Sequence, residues 1–151
     1  MDSTTLAYIA GFLDGDGSIF FQIVRRKDYV RGFQVRGSIA FYQRTDQHRI
    51  LSFMKRQFGC GYIRHRKTGI SDYTVVESKE VRRILLLLRP HVRLKKRQLE
   101  LGLRILQRLE SRKDADFLAA CRLTDRFRRL NYSKRRTVTC ASIAGSCPRR
   151  D

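Results

Sequence analysis

Hydrophobic and polar residues alternate along two segments in the first third of the chain. The segments cover residues 18–26 and 33–42. Their alternate apolar positions are Ile19, Phe21, Ile23, Phe33, Val35, Ile39 and Phe41. A period of two is typical of a strand with one buried face. The two segments therefore predict an antiparallel hairpin with a polar outer face, joined by a donor-rich loop over residues 27–32.

A second pair of strands and several helices account for most of the remaining chain. Strands are predicted over residues 62–66 and 72–77. Helical periods start at the N-cap candidates 3–5, at Asp46, at residue 79, after Lys95 and at residue 114. The order αββαββ plus terminal helices predicts an α+β fold, with a four-stranded antiparallel sheet and helices on one face. Residues 1–138 form one predicted domain, and residues 139–151, which show no period, form a predicted mobile tail.

The first helix leads into the first strand through an acidic, glycine-rich junction. Gly15 and Gly17 bracket Asp16, so the backbone is free to leave the helix there. Ala7, Gly11 and Gly15 recur every four residues and share one helix face. Small residues in a line let a second helix approach closely. We expect two copies of this helix to pack together, so that each brings one Asp16 to the bottom of a shared seam, where carboxylates could hold divalent metal ions.

Composition and charge indicate a polyanionic partner. The chain has 151 residues, 42% of them hydrophobic, which is enough for one domain with a sizeable core. Its 33 Lys and Arg against 14 Asp and Glu give a net charge of +19. Self-repulsion of this size favours a nucleic-acid partner. A membrane surface fits less well, because the Arg residues are spread over strands and loops and no segment reaches the length of a membrane span.

The cysteines and histidines show no recognisable site in the sequence. The four cysteines lack C-x-x-C spacing and paired histidine ligands, so they are interpreted as reduced intracellular thiols. His48, His65 and His91 form no constellation either. Neither a zinc site nor a redox motif is expected.

The junction also carries a family resemblance. The stretch Ile9-Ala10-Gly11-Phe12-Leu13-Asp14-Gly15-Asp16-Gly17 resembles the signature of the LAGLIDADG homing endonucleases. Four further features are similar to the single-motif, homodimeric branch typified by chloroplast-intron enzymes: Gln43, Ser71-Asp72-Tyr73, Arg89-Pro90 and Leu94-Lys95-Lys96. The similarity covers roughly residues 5–138, in order, which is more than a lone motif match.

The resemblance implies a site-specific endonuclease that cuts double-stranded DNA as a homodimer on a long pseudo-palindromic target. It implies Mg²⁺-dependent phosphodiester hydrolysis that leaves 3′ overhangs and promotes intron mobility. Mn²⁺ or Ca²⁺ are expected to replace Mg²⁺ in binding, and neither a small-molecule cofactor nor a membrane is expected. The implied location is intracellular, in an organelle such as the chloroplast or in a prokaryotic cytoplasm. Two alternatives stay open: an RNA-splicing maturase and a non-cleaving DNA-binding regulator.

The resemblance implies four catalytic residues, which are Asp16, Gln43, Lys95 and Gln47. Asp16 is the expected metal ligand, together with the carbonyl group of Gly15. Gln43 is expected to position water, and Lys95 to act as an electrophile at the scissile phosphate. The family commonly has Arg or Lys where this chain has Gln47, so either Gln47 organises water without charge or Arg49 supplies the missing cation.

The remaining predicted site residues fall into two groups. Arg and Gln side chains make bidentate contacts with guanine and adenine, and the outer strand faces carry almost no acids. The predicted DNA-binding residues are Gln22, Val24, Arg26, Tyr29, Arg31, Gln34, Arg36, Ser38, Arg64, Arg66, Asp72, Thr74, Ser133, Lys134 and Arg135. For Asp72, a plain surface acid and an acid that holds nearby Arg side chains in register are both open interpretations. The predicted dimer interface comprises Ala7, Ala10, Gly11, Asp14 and Gly15.

Overall fold

The computed structural model describes residues 1–131 and 138–144. The helices are Ser3–Asp16 (α1), Arg49–Phe58 (α2), Ser78–Leu88 (α3), Lys96–Glu110 (α4), Asp114–Leu130 (α5) and Cys140–Ala144 (α6). The strands are Gly17–Arg25 (β1), Phe33–Arg44 (β2), Tyr62–His65 (β3) and Ile70–Val75 (β4), and a 3-10 turn covers Thr45–Gln47. The predicted α+β fold and its order of elements are confirmed.

The four strands form one antiparallel sheet in the spatial order β1-β2-β4-β3. One row of residues crosses the whole sheet, since Gly17 pairs with Phe41, Phe41 with Tyr73, and Tyr73 with Ile63. Strand β2 continues past the start of β1, and there Gln43 pairs with residue 71 of β4. The end of β2 therefore extends beyond the point where α1 enters the sheet.

The helices cover one face of the sheet and form the core with it. The residues that the alternation predicts to face inward are buried, as expected. The largest fully buried side chains include Phe21, Phe41, Met54, Tyr73 and Phe127. Each such apolar side chain stabilises the fold by roughly 1.5–3 kcal/mol. Among the helices of the described segments, none combines the length and the apolar character needed to cross a bilayer.

The junction between α1 and β1 depends on one glycine. Helix α1 is capped by Asp2, which accepts a hydrogen bond from the Thr5 backbone N–H at 2.9 Å, and not by a residue of 3–5. A Cβ atom on Gly17 would lie 2.7 Å from Leu13 Cδ1, whereas one on Gly15 would meet nothing within 4 Å. Close packing against α1 therefore requires a glycine at position 17, whereas packing within the protomer does not require one at position 15.

Two sequence predictions are wrong in their boundaries. Helix α2 begins at Arg49, and Asp46 does not cap it but lies in the 3-10 turn, 2.6 Å from the Arg44 guanidinium. The reason is that β2 runs on to residue 44 and its end is followed by the turn.

Part of the predicted tail is folded as well: α6 packs on α5, Ile143 is buried, and the backbone N–H of Cys140 donates to Asp125 at 3.0 Å. The packed domain thus extends past residue 138.

Candidate DNA-binding face and cleavage site

The outer face of the sheet is a shallow basic groove. The groove has a volume of about 340 Å³, and Gln22, Arg36, Ser38, Arg64, Arg66 and Thr74 are among the residues that line it. All six were predicted to bind DNA. Among the described residues, none that lines this groove is acidic. Because both hairpins turn their polar positions to the same side, a cationic surface faces away from the helices.

Asp72 is buried and binds three of the residues that line the basic groove. Its side chain is only 1% exposed and accepts hydrogen bonds from Arg66 Nε at 2.7 Å, Thr74 Oγ1 at 2.9 Å and Arg64 Nε at 3.3 Å. Burial raises the pKa of Asp72, but these hydrogen bonds outweigh that effect and hold the pKa below its usual value. The prediction that Asp72 contacts DNA directly is wrong, because a buried carboxylate offers no surface to a ligand. The second interpretation is confirmed: Asp72 fixes the arginines.

At the tip of the first hairpin, one arginine binds within the loop and another binds to the helix layer. Arg26 is paired with Asp28 at 3.0 Å and lies 5.4 Å from the centre of the exposed Tyr29 ring. Arg31 instead donates to Asp114 at 2.7 Å and lies over the ring of Phe117, so it joins the loop to α5. Arg31 is exposed and is bound to the helix layer within the protomer, and its contact with DNA stays a prediction.

The register of the sheet brings the predicted catalytic residues to one end. Asp16 immediately precedes Gly17, which pairs with Phe41. Gln43 lies two residues further along β2, about 7 Å at roughly 3.3 Å per residue. Its Oε1 accepts the backbone N–H of Arg44 at 2.8 Å. The α1–β1 junction and the end of β2 thus lie at the same edge.

Asp14 attaches Lys95 to this edge. Its carboxylate accepts three backbone N–H groups, from Arg93 at 2.8 Å, Leu94 at 3.1 Å and Lys95 at 2.9 Å. Partial burial raises the pKa of Asp14, but these hydrogen bonds and the charge of Lys95 together lower it below its usual value. The Lys95 ammonium donates to the backbone carbonyl of Asp14 at 2.5 Å. Burial lowers the pKa of Lys95, opposed by the charges of Asp14 and Asp16, so the amine lies within electrostatic reach of Asp16.

Asp16 suits a divalent cation by its chemistry and its position. It is exposed at the carboxyl end of α1, where the helix dipole disfavours negative charge and the last turn carries no basic residue. Carboxylate and carbonyl oxygens are the ligands that Mg²⁺ prefers. Within the described residues of one chain, however, no group of three or more His, Cys, Asp or Glu could hold a metal. The donor set fits Mg²⁺, but one chain supplies only part of it.

Gln47 and Arg49 are the two candidates for the position at which the family commonly has Arg or Lys. Gln47 ends the 3-10 turn and is exposed, and Arg49 is exposed as the first residue of α2. Neither side chain makes a hydrogen bond or ion pair with another residue of the described segments. Both are therefore available to a ligand, and their roles stay predictions.

Two histidines that the sequence left unassigned come together beside this edge. The rings of His48 and His65 are 5.3 Å apart, edge to face. His48 Nδ1 is 2.7 Å from the carbonyl of Thr45, and His65 Nδ1 is 2.7 Å from Ser71 Oγ. The two positions are 17 residues apart by their numbers, and they come together because β2 and β3 both pair with β4. No short motif could have revealed the contact.

One face of α1 is exposed and made of small residues. Ala7, Gly11 and Gly15 are all exposed, and a Cβ on either glycine would meet nothing within 4 Å. Ala10 is fully buried in the core, so its predicted place in a dimer interface is wrong. The carboxylate of Asp14 is bound to residues 93–95, which leaves the exposed face to the other three. Ser133, Lys134 and Arg135 lie outside the described residues.

Comparisons with known proteins agree with this geometry. The sequence pattern of the LAGLIDADG endonuclease family matches residues 9–103. The DNA endonuclease I-CvuI of Chlorella vulgaris is 37% identical over 143 residues, covering 94% of this chain and 89% of that protein. I-CreI of Chlamydomonas reinhardtii is 36% identical over 140 residues, covering 91% of this chain and 85% of that protein. A crystal structure of I-CvuI with the I-CreI target in the presence of Mg has a TM-score of 0.89 at 36% identity, covering 94% of this chain and 91% of that one.

Proposed function

Because the chain belongs to the LAGLIDADG endonuclease family, we propose that it is a homing endonuclease that cuts double-stranded DNA at a specific site. The observation that carries this proposal is the joint presence of a basic groove and, at the edge of the same sheet, Asp16 beside a lysine whose pKa is lowered. The groove supplies binding, and the edge supplies the groups for phosphodiester hydrolysis.

The sheet is long enough to recognise an extended target. Strands β1 and β2 contain 9 and 12 residues. At about 3.3 Å per residue they span roughly 30–40 Å, which corresponds to about nine to twelve base pairs at roughly 3.4 Å per pair. A symmetric dimer would double this to a target of about twenty pairs that is approximately palindromic. The exposed Arg36, Arg64 and Arg66 are the expected base contacts, and Ser133, Lys134 and Arg135 the expected phosphate contacts.

A second copy would complete the cleavage site. The small-residue face of α1 allows two helices to approach closely, and this contact would bring a second Asp16 next to the first. The described part of one protomer holds no complete metal site, so the homodimer and the cation are proposed together. When bound, Mg²⁺ would supply water activation and stabilisation of the leaving oxygen.

The residues of this chain have distinct roles in the proposal. Asp16 and the Gly15 carbonyl would hold the cation. Lys95, fixed by Asp14, would stabilise negative charge developing on the scissile phosphate. Gln43 and Gln47 would orient water by hydrogen bonds. Cleavage across the minor groove with 3′ overhangs, intron mobility and an organellar or prokaryotic setting stay predictions.

The test is a cleavage assay on the corresponding intronless gene with Mg²⁺, with Asp16→Asn as the matched variant. One double-strand break by the wild type, together with DNA binding but no break by Asp16→Asn, supports the proposal. Specific binding without any break by the wild type supports the DNA-binding regulator instead. Binding confined to intron RNA supports the maturase.

A further inference from the structure

The side chains of Thr45 and Ser71 form a continuous hydrogen-bonded cluster with the two histidines. Ser71 is fully buried, and its hydroxyl oxygen is 2.7 Å from His65 Nδ1 and 2.9 Å from Thr45 Oγ1. A buried hydroxyl needs such partners, because burial without them is costly. His48 donates through Nδ1 to the Thr45 carbonyl, because a carbonyl oxygen only accepts.

Within this cluster, each polar group of Thr45 makes a hydrogen bond. Thr45 donates its backbone N–H to the Gly69 carbonyl at 2.8 Å. Its hydroxyl binds Ser71, and its carbonyl binds His48. A single 3-10 turn is weak on its own, so these contacts are what holds the turn Thr45–Gln47 against the sheet.

Thr45 lies midway in sequence between the two glutamines of the proposed cleavage site. Gln43 precedes Thr45 by two residues, and Gln47 follows it by two. Gln43 pairs with Ser71 across the sheet, and Ser71 pairs with His65, so all three share one row. This row has the same parity as the buried Phe41 and therefore faces the helices, whereas the groove residues face the other side.

From this geometry we propose that Ser71, His48 and His65 are positioning residues for cleavage. They hold the segment from Gln43 to Gln47 at the edge where Asp16 enters the sheet. Because Ser71 and His65 lie on the helix side and none of the three residues lines the basic groove, they act on the rate of cleavage and not on the choice of target. The inference rests on the proposed endonuclease function.

The test separates cleavage from binding. Single-turnover cleavage rates with Mg²⁺ and DNA dissociation constants with Ca²⁺ are measured for the full-length wild type, Ser71→Ala and His65→Ala. Outer partners of catalytic groups are typically worth about 10- to 100-fold. We expect a rate loss of this size in both variants with unchanged DNA affinity. His65 is exposed, so His65→Ala provides the test even if Ser71→Ala does not fold.

Two further variants distinguish positioning from general stability. His65→Asn keeps a polar atom near the position of Nδ1 and should restore most of the rate. The double variant with Ser71→Ala and His65→Ala should lose no more cleavage rate than either single variant, because both substitutions remove the same contact. Thr124→Val is the matched control: it removes another buried hydroxyl, which donates to Ala120 in α5, far from the site.

The possible outcomes separate the two proposals. Three results would overturn the positioning role. They are an equal loss of cleavage rate in Thr124→Val, additive rate losses in the double variant, and a change in DNA affinity in either single variant. Unchanged rates in both single variants would overturn it as well, while leaving the endonuclease proposal intact. A wild type that never cuts DNA would remove the endonuclease proposal and the positioning role together.

Discussion

Asp14 binds Lys95 at both of the lysine's nitrogen atoms. The Asp14 carboxylate accepts the Lys95 backbone N–H at 2.9 Å, and the Asp14 carbonyl accepts its ammonium at 2.5 Å. Since Asp14 lies two residues before Asp16, the end of α1 sets the position of the carboxylate and of the lysine together. The acidic and basic groups of the proposed cleavage site are therefore held by the same helix end.

This contact predicts a double loss in Asp14→Ala. Three backbone N–H groups of residues 93–95 would lose a charged acceptor, and hydrogen bonds to charged groups contribute about 1.5–3 kcal/mol each. Because the carboxylate is partly exposed, we expect the free energy of unfolding to fall by only about 2 kcal/mol in total. Cleavage should fall more than DNA binding. Urea denaturation and single-turnover kinetics measure the two effects.

The control for this change is Asp28→Ala at the hairpin tip. Asp28 is an exposed acid whose partner is Arg26 of the same loop, so its loss should scarcely alter stability. Equal effects of the two variants on unfolding and cleavage would show that Asp14 does not hold Lys95 in place.

The lowered pKa of Lys95 predicts an early alkaline limit of activity. Burial is the main cause of the shift, and an unperturbed lysine titrates at about 10.4. If the charged amine assists cleavage, the rate should decline at a lower pH than an ordinary lysine would allow. Lys95→Arg should move the decline to higher pH, because a guanidinium keeps its proton above about pH 12. Identical alkaline limbs in the rate profiles of both proteins would exclude Lys95 as their cause.

The sequence predicted those parts of the molecule that depend on local pattern. Alternation located the inner and outer faces of β1 and β2, and the acidic junction located Asp16. It could not show that Asp72 is buried, because Asp72 lies on the polar parity of β4, and its contacts with Arg64, Arg66 and Thr74 form only in the folded sheet. The contact of Arg31 with Asp114 could not be predicted for a similar reason, because the two residues are 83 positions apart. The His48–His65 contact likewise depends on strand pairing.

The exposed face of α1 predicts a dimer that a single large side chain disrupts. A Cβ on Gly11 meets nothing within the protomer, so Gly11→Leu should leave the protomer folded and push a second α1 away. We expect monomers by sedimentation velocity and no double-strand cleavage. Gln107→Leu, which adds the same side chain at an exposed position of α4, is the control and should behave as wild type. A normal dimer of Gly11→Leu would show that this face is not the interface.

Asp72 predicts a component of acid sensitivity. Its pKa is lowered in the folded state, so its contribution to stability is fully present above the unfolded pKa of about 3.9 and is lost as the pH falls through the folded value. Asp72→Asn should reduce the free energy of unfolding by about 2 kcal/mol at pH 7. The difference from wild type should shrink towards about pH 2. Asp46→Asn, at an exposed acid, is the control. A difference that is independent of pH would show that charge is not the cause.

Arg36 and Arg66 differ in whether they form an ion pair within the protein. This difference predicts different losses of DNA-binding free energy when each is replaced by alanine. Arg66 is fixed by Asp72 at 2.7 Å, whereas Arg36 has no ion pair with any residue of the described segments. A side chain that is already ordered loses less entropy on binding. Both alanine variants should cost roughly 1–3 kcal/mol and relax the preference at one symmetric pair of positions, with the larger loss for Arg66→Ala.

Selection on randomised targets measures both the affinity and the preferred sequence. Arg122→Ala, at an exposed position of α5, is the matched control and should leave the preferred sequence intact. A phosphate contact would behave differently from a base contact: its loss would weaken binding to all sequences alike and reduce the salt slope by about one unit. If Arg36→Ala and Arg66→Ala show that uniform weakening, the basic groove holds the DNA backbone, and bases must be read elsewhere on the protein. If each variant relaxes its own pair of positions, the outer face of the sheet is the surface that recognises the target.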